Sequence, residues 1–133
     1  KLIIVLLDNH GFASIGGLSN SVGSAGFGTE YRYRTASGQY DGDLLPVDYA
    51  AHAASLGARV LRAGNRDELA DALRQAQILD GVVCIVVETD RDQRVGSYHT
   101  WWDVAVAEVS DDPAVREARQ QYETAKRRQR YFL

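Results

Sequence analysis

Two stretches of this chain are apolar without interruption. Leu2 to Leu7, "LIIVLL", is closed by Asp8, Asn9, His10 and Gly11. Val82 to Val87, "VVCIVV", is rich in β-branched residues and runs into "ETD". Short continuous runs bounded by polar residues predict strands buried on both faces, as in a parallel sheet. The second run is central in character. A shorter strand is predicted at "ARVLRA", residues 58–63. Elsewhere the apolar positions recur with the period of a helix. "NRDELADALRQAQILDG" pairs Asn65 with Glu68 at capping-box spacing, and Leu69, Ala72, Leu73, Ala76 and Leu79 form one stripe. "PVDYAAHAASLG" predicts a helix over about residues 47–56, with Pro46 near its entry, Asp48 in its first turn and Gly57 closing it. Near the end of the chain, acidic residues and Pro113 open a terminal helix. Val115, Ala118, Tyr122 and Ala125 are its apolar seam, and Lys126, Arg127 and Arg128 lie near its end, where the helix dipole favours cations. Strands alternating with helices predict an α/β fold, a mainly parallel sheet with flanking helices.

Two stretches lack either period. Residues 8–43 hold eight of the twelve glycines, many serines and few long aliphatics. They predict a long connection, with Tyr31 to Arg34 as a short extended piece. Connections of this length are usually functional or mobile. A cover over a substrate and a plain flexible loop both fit. The stretch "RDQRVGSYHTWWDVAVAEVS" is irregular and aromatic. The expected organisation is a single domain over 1–133: an α/β core at 1–90 carrying a glycine-rich loop at 10–45, then a tail and helix at 91–133.

Composition narrows the classes. A length of 133 residues suits one domain. The net charge of −3 gives no electrostatic case for nucleic acid or an anionic membrane. No run approaches the roughly 20 apolar residues of a membrane span. One cysteine allows no internal disulfide and fits a reducing, cytoplasmic compartment. The absence of methionine, with a chain that opens directly into a strand, leads to the expectation of a piece of a longer protein.

Candidate chemistry gathers at Asp8 to Gly11. In open α/β sheets, ligands bind beyond the carboxyl ends of the strands. An Asn side-chain oxygen and a backbone carbonyl suit a hard cation such as Mg²⁺. A plain strand-end turn explains the same residues and, on spacing alone, is the simpler reading. His10 fits a proton-transfer or diphosphate-contact role and a solvent-facing turn equally. His52, among alanines on a helix, reads as structural. His99, with Trp101, Trp102 and Asp103, reads first as aromatic packing and second as a cap over substrate. Cys84 reads as a small buried hydrophobe. Gly23, Gly26 and Gly28 have the wrong spacing and context for a dinucleotide fingerprint. The cluster from Lys126 to Arg130 reads as a helix end facing solvent or a neighbouring subunit.

The order of segments adds a resemblance. "IIVLLDNHGFASI", a long loop, "PVDYAAHAASLGARVLRA" and "ELADALRQAQILDGVVCIVVETD" resemble the C-terminal half of the pyrophosphate domain of thiamine-diphosphate enzymes. In that family the Asn cluster completes a motif begun upstream by Gly-Asp-Gly, and together they hold Mg²⁺ on the cofactor diphosphate. The resemblance implies Asn9 as side-chain ligand, Gly11 as carbonyl ligand, and backbone approach of Ala13 and Ser14 to the cofactor. The family often has Asn at the position of Asp8. Asp41-Gly42-Asp43 lies downstream of Asn9 and does not supply the missing half. The activating Glu of the family is also absent and comes from a partner subunit.

Within the family, "LLDNHGFASIGGLSNSVGSAGFGTEYRYR", "LPVDYAAHAASLGA", "SYHTWWDVAVAEVS" and "VREARQQYETAKRRQRYFL" resemble the trihydroxycyclohexanedione hydrolases of myo-inositol catabolism, over essentially the whole chain. This implies C–C bond cleavage of a cyclic dione to a deoxyglucuronate, with the cofactor as electron sink. It also implies dependence on the rest of the polypeptide and a homo-oligomer with the site at a subunit interface. An acetolactate-synthase-like enzyme is the nearest alternative. A non-catalytic folded piece is the alternative of another class.

Overall fold

The computed structural model describes residues 1–93 and 104–129. Its elements are β1 (Leu2–Asp8), α1 (Ala13–Ser21), α2 (Tyr49–Ser55), β2 (Arg59–Ala63), α3 (Arg66–Ile78), β3 (Val82–Glu88) and α4 (Pro113–Lys126). The chain divides into two compact units, one of residues 1–11 and 44–91, the other of residues 12–43 and 92–133.

The first unit holds a three-stranded sheet in the order β1-β3-β2, and both pairings are parallel. β3 is central, and Val83 to Val87 are all buried. Successive side chains of a strand point to opposite faces. Val83, Ile85 and Val87 accordingly join Ala63, Ala72 and Ala76 in a cluster on the α3 side. Cys84 and Val86 join Ala50 on the α2 side. The sheet therefore lies between α2 and α3. Alanines on the helices let their backbones approach the β-branched strand closely.

The predicted α/β class, the strands at 58–63 and 82–88 and the capped helix are all present. Asn65 accepts from the Glu68 N–H at 2.9 Å, and the Glu68 carboxylate accepts from the Gly64 N–H at 2.8 Å. Of the predicted stripe, Ala72 and Ala76 are buried and Leu69 and Leu79 pack against the core. Leu73 is 37% exposed. Asp48 is the N-cap of α2 rather than a member of its first turn, and accepts from the Ala51 N–H.

The reading of β1 as buried on both faces is corrected. Leu2, Ile4, Val5 and Leu7 are 40 to 62% exposed. Ile3 and Leu6 alone reach the two clusters as partly buried neighbours. The reason is coverage: α2 and α3 pack on β3 and β2 rather than on β1, which lies at the edge of the sheet. An apolar run specifies a strand, but burial needs a partner on each face.

In the second unit, the stretch predicted as a long connection contains α1. "ASIGGLSNS" carries two glycines, each worth roughly 1 kcal/mol against a helix, so propensity hides it. Gly16 is its buried residue, and a Cβ added at Gly26 would lie 3.7 Å from the Gly16 Cα. Further along, the Tyr33 N–H donates to the Asp43 carbonyl, and the Tyr33 carbonyl accepts from the Gly42 N–H. This closes a turn in which Thr35 donates to Asp41 at 2.5 Å. Phe12 and Tyr31 pack edge to face, as do Phe27 and Tyr40. In α4, Asp112 caps the N-terminus with Pro113 in its first turn. Arg119 donates to the Val106 carbonyl at 2.7 Å, pairs with Glu123 and lies over the Tyr122 ring.

Ile85→Ala should destabilise the chain by about 2 to 5 kcal/mol, because Ile85 is fully buried in the central strand. Asn65→Ala should cost about 1 kcal/mol through the lost cap. Urea unfolding followed by circular dichroism measures both. Gly23→Ala should destabilise more than a surface change, since φ is +83° and the new Cβ would meet the Ala114 carbonyl oxygen at 2.5 Å. An unchanged urea midpoint would contradict that contact.

Candidate functional site

The carboxyl ends of the strands in the first unit surround a cavity of about 390 Å³. Asp8 and His10 line it from the end of β1, Val86 and Glu88 from β3, and Arg62 from β2. Pro46, Val47, Asp48 and Tyr49 complete it at the entry of α2. This is the location that an open parallel sheet provides for a ligand.

The strand end itself is tightly tied. Asp8 pairs with Glu88 in the β1–β3 register. Its carbonyl accepts from the Thr89 N–H at 2.8 Å and from the Thr89 hydroxyl at 3.1 Å. Its side chain is buried, and Oδ1 accepts from the His10 N–H at 2.9 Å. The same oxygen lies 3.4 Å from His10 Nδ1. His10 has φ +54°, the one left-handed non-glycine residue among the described residues. The polar cluster that ends the apolar run is thus a folded turn, held by the side chain that opens it. Asn9 and Gly11 are half-buried in this turn.

The chemistry of this donor set fits a diphosphate-bound cation. The Asn9 amide oxygen and the Gly11 carbonyl are neutral hard donors, and Mg²⁺ is commonly held by few protein oxygens completed by phosphate and water. Among the described residues, no three His, Cys, Asp or Glu side chains cluster as a self-sufficient metal site. Ala13 and Ser14 begin α1 in the second unit. Its N-cap, Phe12, offers no side-chain hydrogen bond, and its first turn carries no acidic residue. A helix start of this kind leaves backbone N–H groups for an anion.

Among the described residues, none of the other candidates lines the cavity. Cys84 is buried in β3, as its neighbours predicted. His52 is exposed on α2. Asp41, Gly42 and Asp43 lie in the turn closed by Tyr33. Lys126 sits 5.8 Å from the Tyr122 ring, and Arg127 and Arg128 are exposed after α4. His99, Trp101, Trp102, Asp103 and Arg130 lie outside the described residues.

Sequence reasoning missed Asp48, Arg62 and Glu88 as cavity residues. Arg62 and Glu88 are charged residues at the carboxyl ends of predicted strands, and that placement was the available signal. Asp48 Oδ1 also accepts from Arg62 at 2.7 Å. The Ala51 N–H and the Arg62 guanidinium hold the Asp48 carboxyl below its ordinary value of 3.8.

The family profile described as "Thiamine pyrophosphate enzyme, C-terminal TPP binding domain" matches residues 1–87. This chain belongs to that family of thiamine-diphosphate enzymes. Its α/β class is that of the family's C-terminal domain, as the resemblance in its motifs implied. A protein of Bacillus cereus named 3D-(3,5/4)-trihydroxycyclohexane-1,2-dione hydrolase 2 is 34% identical over 119 residues. Proteins of the same name, without the number, from Bacillus anthracis and from Clostridium botulinum are also 34% identical over 119 residues. Each alignment covers 89% of this chain and 18% of the relative's length. No solved structure matches the chain. Among the described residues, no helix is long and apolar enough to cross a membrane.

The lowered Asp48 value gives a pH dependence. A carboxyl depressed in the folded state stabilises above its unfolded value, and that stabilisation is lost as pH falls through the folded one. The stability of the chain should therefore fall below pH 3.8 more steeply than that of Asp48→Asn, which retains an N-cap acceptor. Parallel urea midpoints for the two proteins across acid pH check this.

Proposed function

We propose that this chain is the cofactor-binding C-terminal part of a thiamine-diphosphate and Mg²⁺ dependent hydrolase. Its reaction would cleave a C–C bond of the cyclic dione 3D-(3,5/4)-trihydroxycyclohexane-1,2-dione to 5-deoxyglucuronate, in myo-inositol catabolism. The observation that carries this reading is the 34% identity to hydrolases of that name across 89% of the chain. Because the chain spans 18% of those relatives' length, the activity is that of a longer polypeptide.

In this reading Asn9 Oδ1 and the Gly11 carbonyl would hold Mg²⁺, and Ala13 and Ser14 would approach the cofactor through their backbone. When bound, thiamine diphosphate supplies the electron sink for the carbanion left by C–C cleavage. The protein's own part is to place anion and cation, to shape the cavity beyond the strands and to exclude water. The remaining cation ligand and the substrate-facing groups come from the rest of the polypeptide and from a second copy of it. A cytoplasmic location fits the single buried cysteine.

In the full-length protein, Asn9→Ala should weaken Mg²⁺-dependent binding of thiamine diphosphate by at least about tenfold, in the range of lost metal-site contacts. Calorimetry giving the wild-type affinity would remove Asn9 from the ligand set. Turnover of the cyclic dione and not of pyruvate is the expected assay result. The reverse outcome would favour an acetolactate-synthase-like enzyme.

A further inference from the structure

We propose that Asp8 is a positioning residue for the cation-binding turn, acting through the backbone of His10. It rests on the reading of Asn9 and Gly11 as the cation's ligands, which assigns Asp8 nothing.

Asp8 is fixed by its backbone and by packing. Its backbone is the last rung of the β1–β3 ladder, and Thr89 clamps its carbonyl twice. Its side chain is 8% exposed, so its rotamer is confined by packing. From this fixed base Oδ1 reaches forward and accepts the His10 N–H at 2.9 Å. That bond spans both ends of the turn that carries Asn9. It also holds His10 at φ +54°. A non-glycine residue there costs of order 1 kcal/mol or more and persists only where its surroundings impose it. Here the imposing group is the Asp8 carboxylate. Fixing residue 10 fixes the direction in which the chain leaves toward the Gly11 carbonyl. The two oxygens assigned to the cation thereby inherit the rigidity of the sheet. Without the Asp8 acceptor, His10 relaxes to an ordinary φ and the two oxygens lose their fixed separation. Partners one step behind metal ligands are typically worth roughly 10- to 100-fold in metal affinity.

The role needs an acceptor oxygen, not a charge, so Asn should serve in place of Asp. The test uses the full-length protein with Asp8→Ala, Asp8→Asn and Asn9→Ala. Two quantities are read: amide hydrogen exchange at His10 without cofactor, and Mg²⁺-dependent thiamine diphosphate affinity by calorimetry. In the wild type the His10 amide should be protected. Asp8→Ala should remove that protection and weaken cofactor binding roughly 10- to 100-fold. Asp8→Asn should keep both near wild type, and circular dichroism should show it folded. Asn9→Ala should lose affinity but keep His10 protected.

A His10 amide that exchanges freely in the wild type overturns the proposal whatever the variants do. So does an Asp8→Asn protein that folds but binds cofactor 10-fold or more weakly, since a merely charged contact would then be at work. Wild-type affinity in Asp8→Ala alongside weakened Asn9→Ala overturns the positioning role alone. Wild-type affinity in Asn9→Ala overturns the ligand reading instead, and His10 protection in Asp8→Ala then decides whether Asp8 shapes the turn.

Discussion

β3 is the element on which the first unit depends. Its two faces are covered, one by α3 and one by α2, and its two edges are paired, one with β1 and one with β2. A five-residue stretch buried on all sides has no room for polar side chains, and its backbone groups are satisfied by two parallel ladders. The helices meet it through alanines, Ala72 and Ala76 on one face and Ala50 on the other. Small residues on the helices and branched ones on the strand give close packing without long side chains.

The same pairing sets the position of the site. Register aligns Asp8 of β1 with Glu88 of β3, and Thr89 locks the end of the ladder onto Asp8. The turn from Asn9 to Gly11 therefore departs from a rigid point. Its geometry follows from one buried carboxylate that looks forward along the chain rather than across the sheet. The cavity beyond the strand ends is mixed in charge, lined by Asp8, Asp48, Glu88 and Arg62, with His10 beside Asp8. Arg62 and Asp48 neutralise each other at its rim and tie the start of α2 to the end of β2.

Much of this could be read from residue order. The capped helix at Asn65 was legible because its signals are local: a side chain bonding three residues ahead and a stripe repeating every turn. The uninterrupted run in β3 was legible because burial on two faces leaves a signature in sequence. α1 was not legible, because Gly16 and Gly17 argue against a helix on propensity alone. The exposure of β1 was not legible either, since "LIIVLL" is as unbroken as "VVCIVV" and an apolar run does not show what covers its faces.

The sequence by itself determined the α/β class, the strand-end cluster of Asp8, Asn9, His10 and Gly11, and the family to which these segments belong. These rest on local pattern and residue chemistry, which need no knowledge of distant neighbours. Tertiary structure alone decided that β1 is peripheral and that Arg62 and Asp48 reach the cavity of Asp8. Those outcomes depend on which strands pair and in what register, and pairing joins residues some eighty positions apart, such as Asp8 and Glu88.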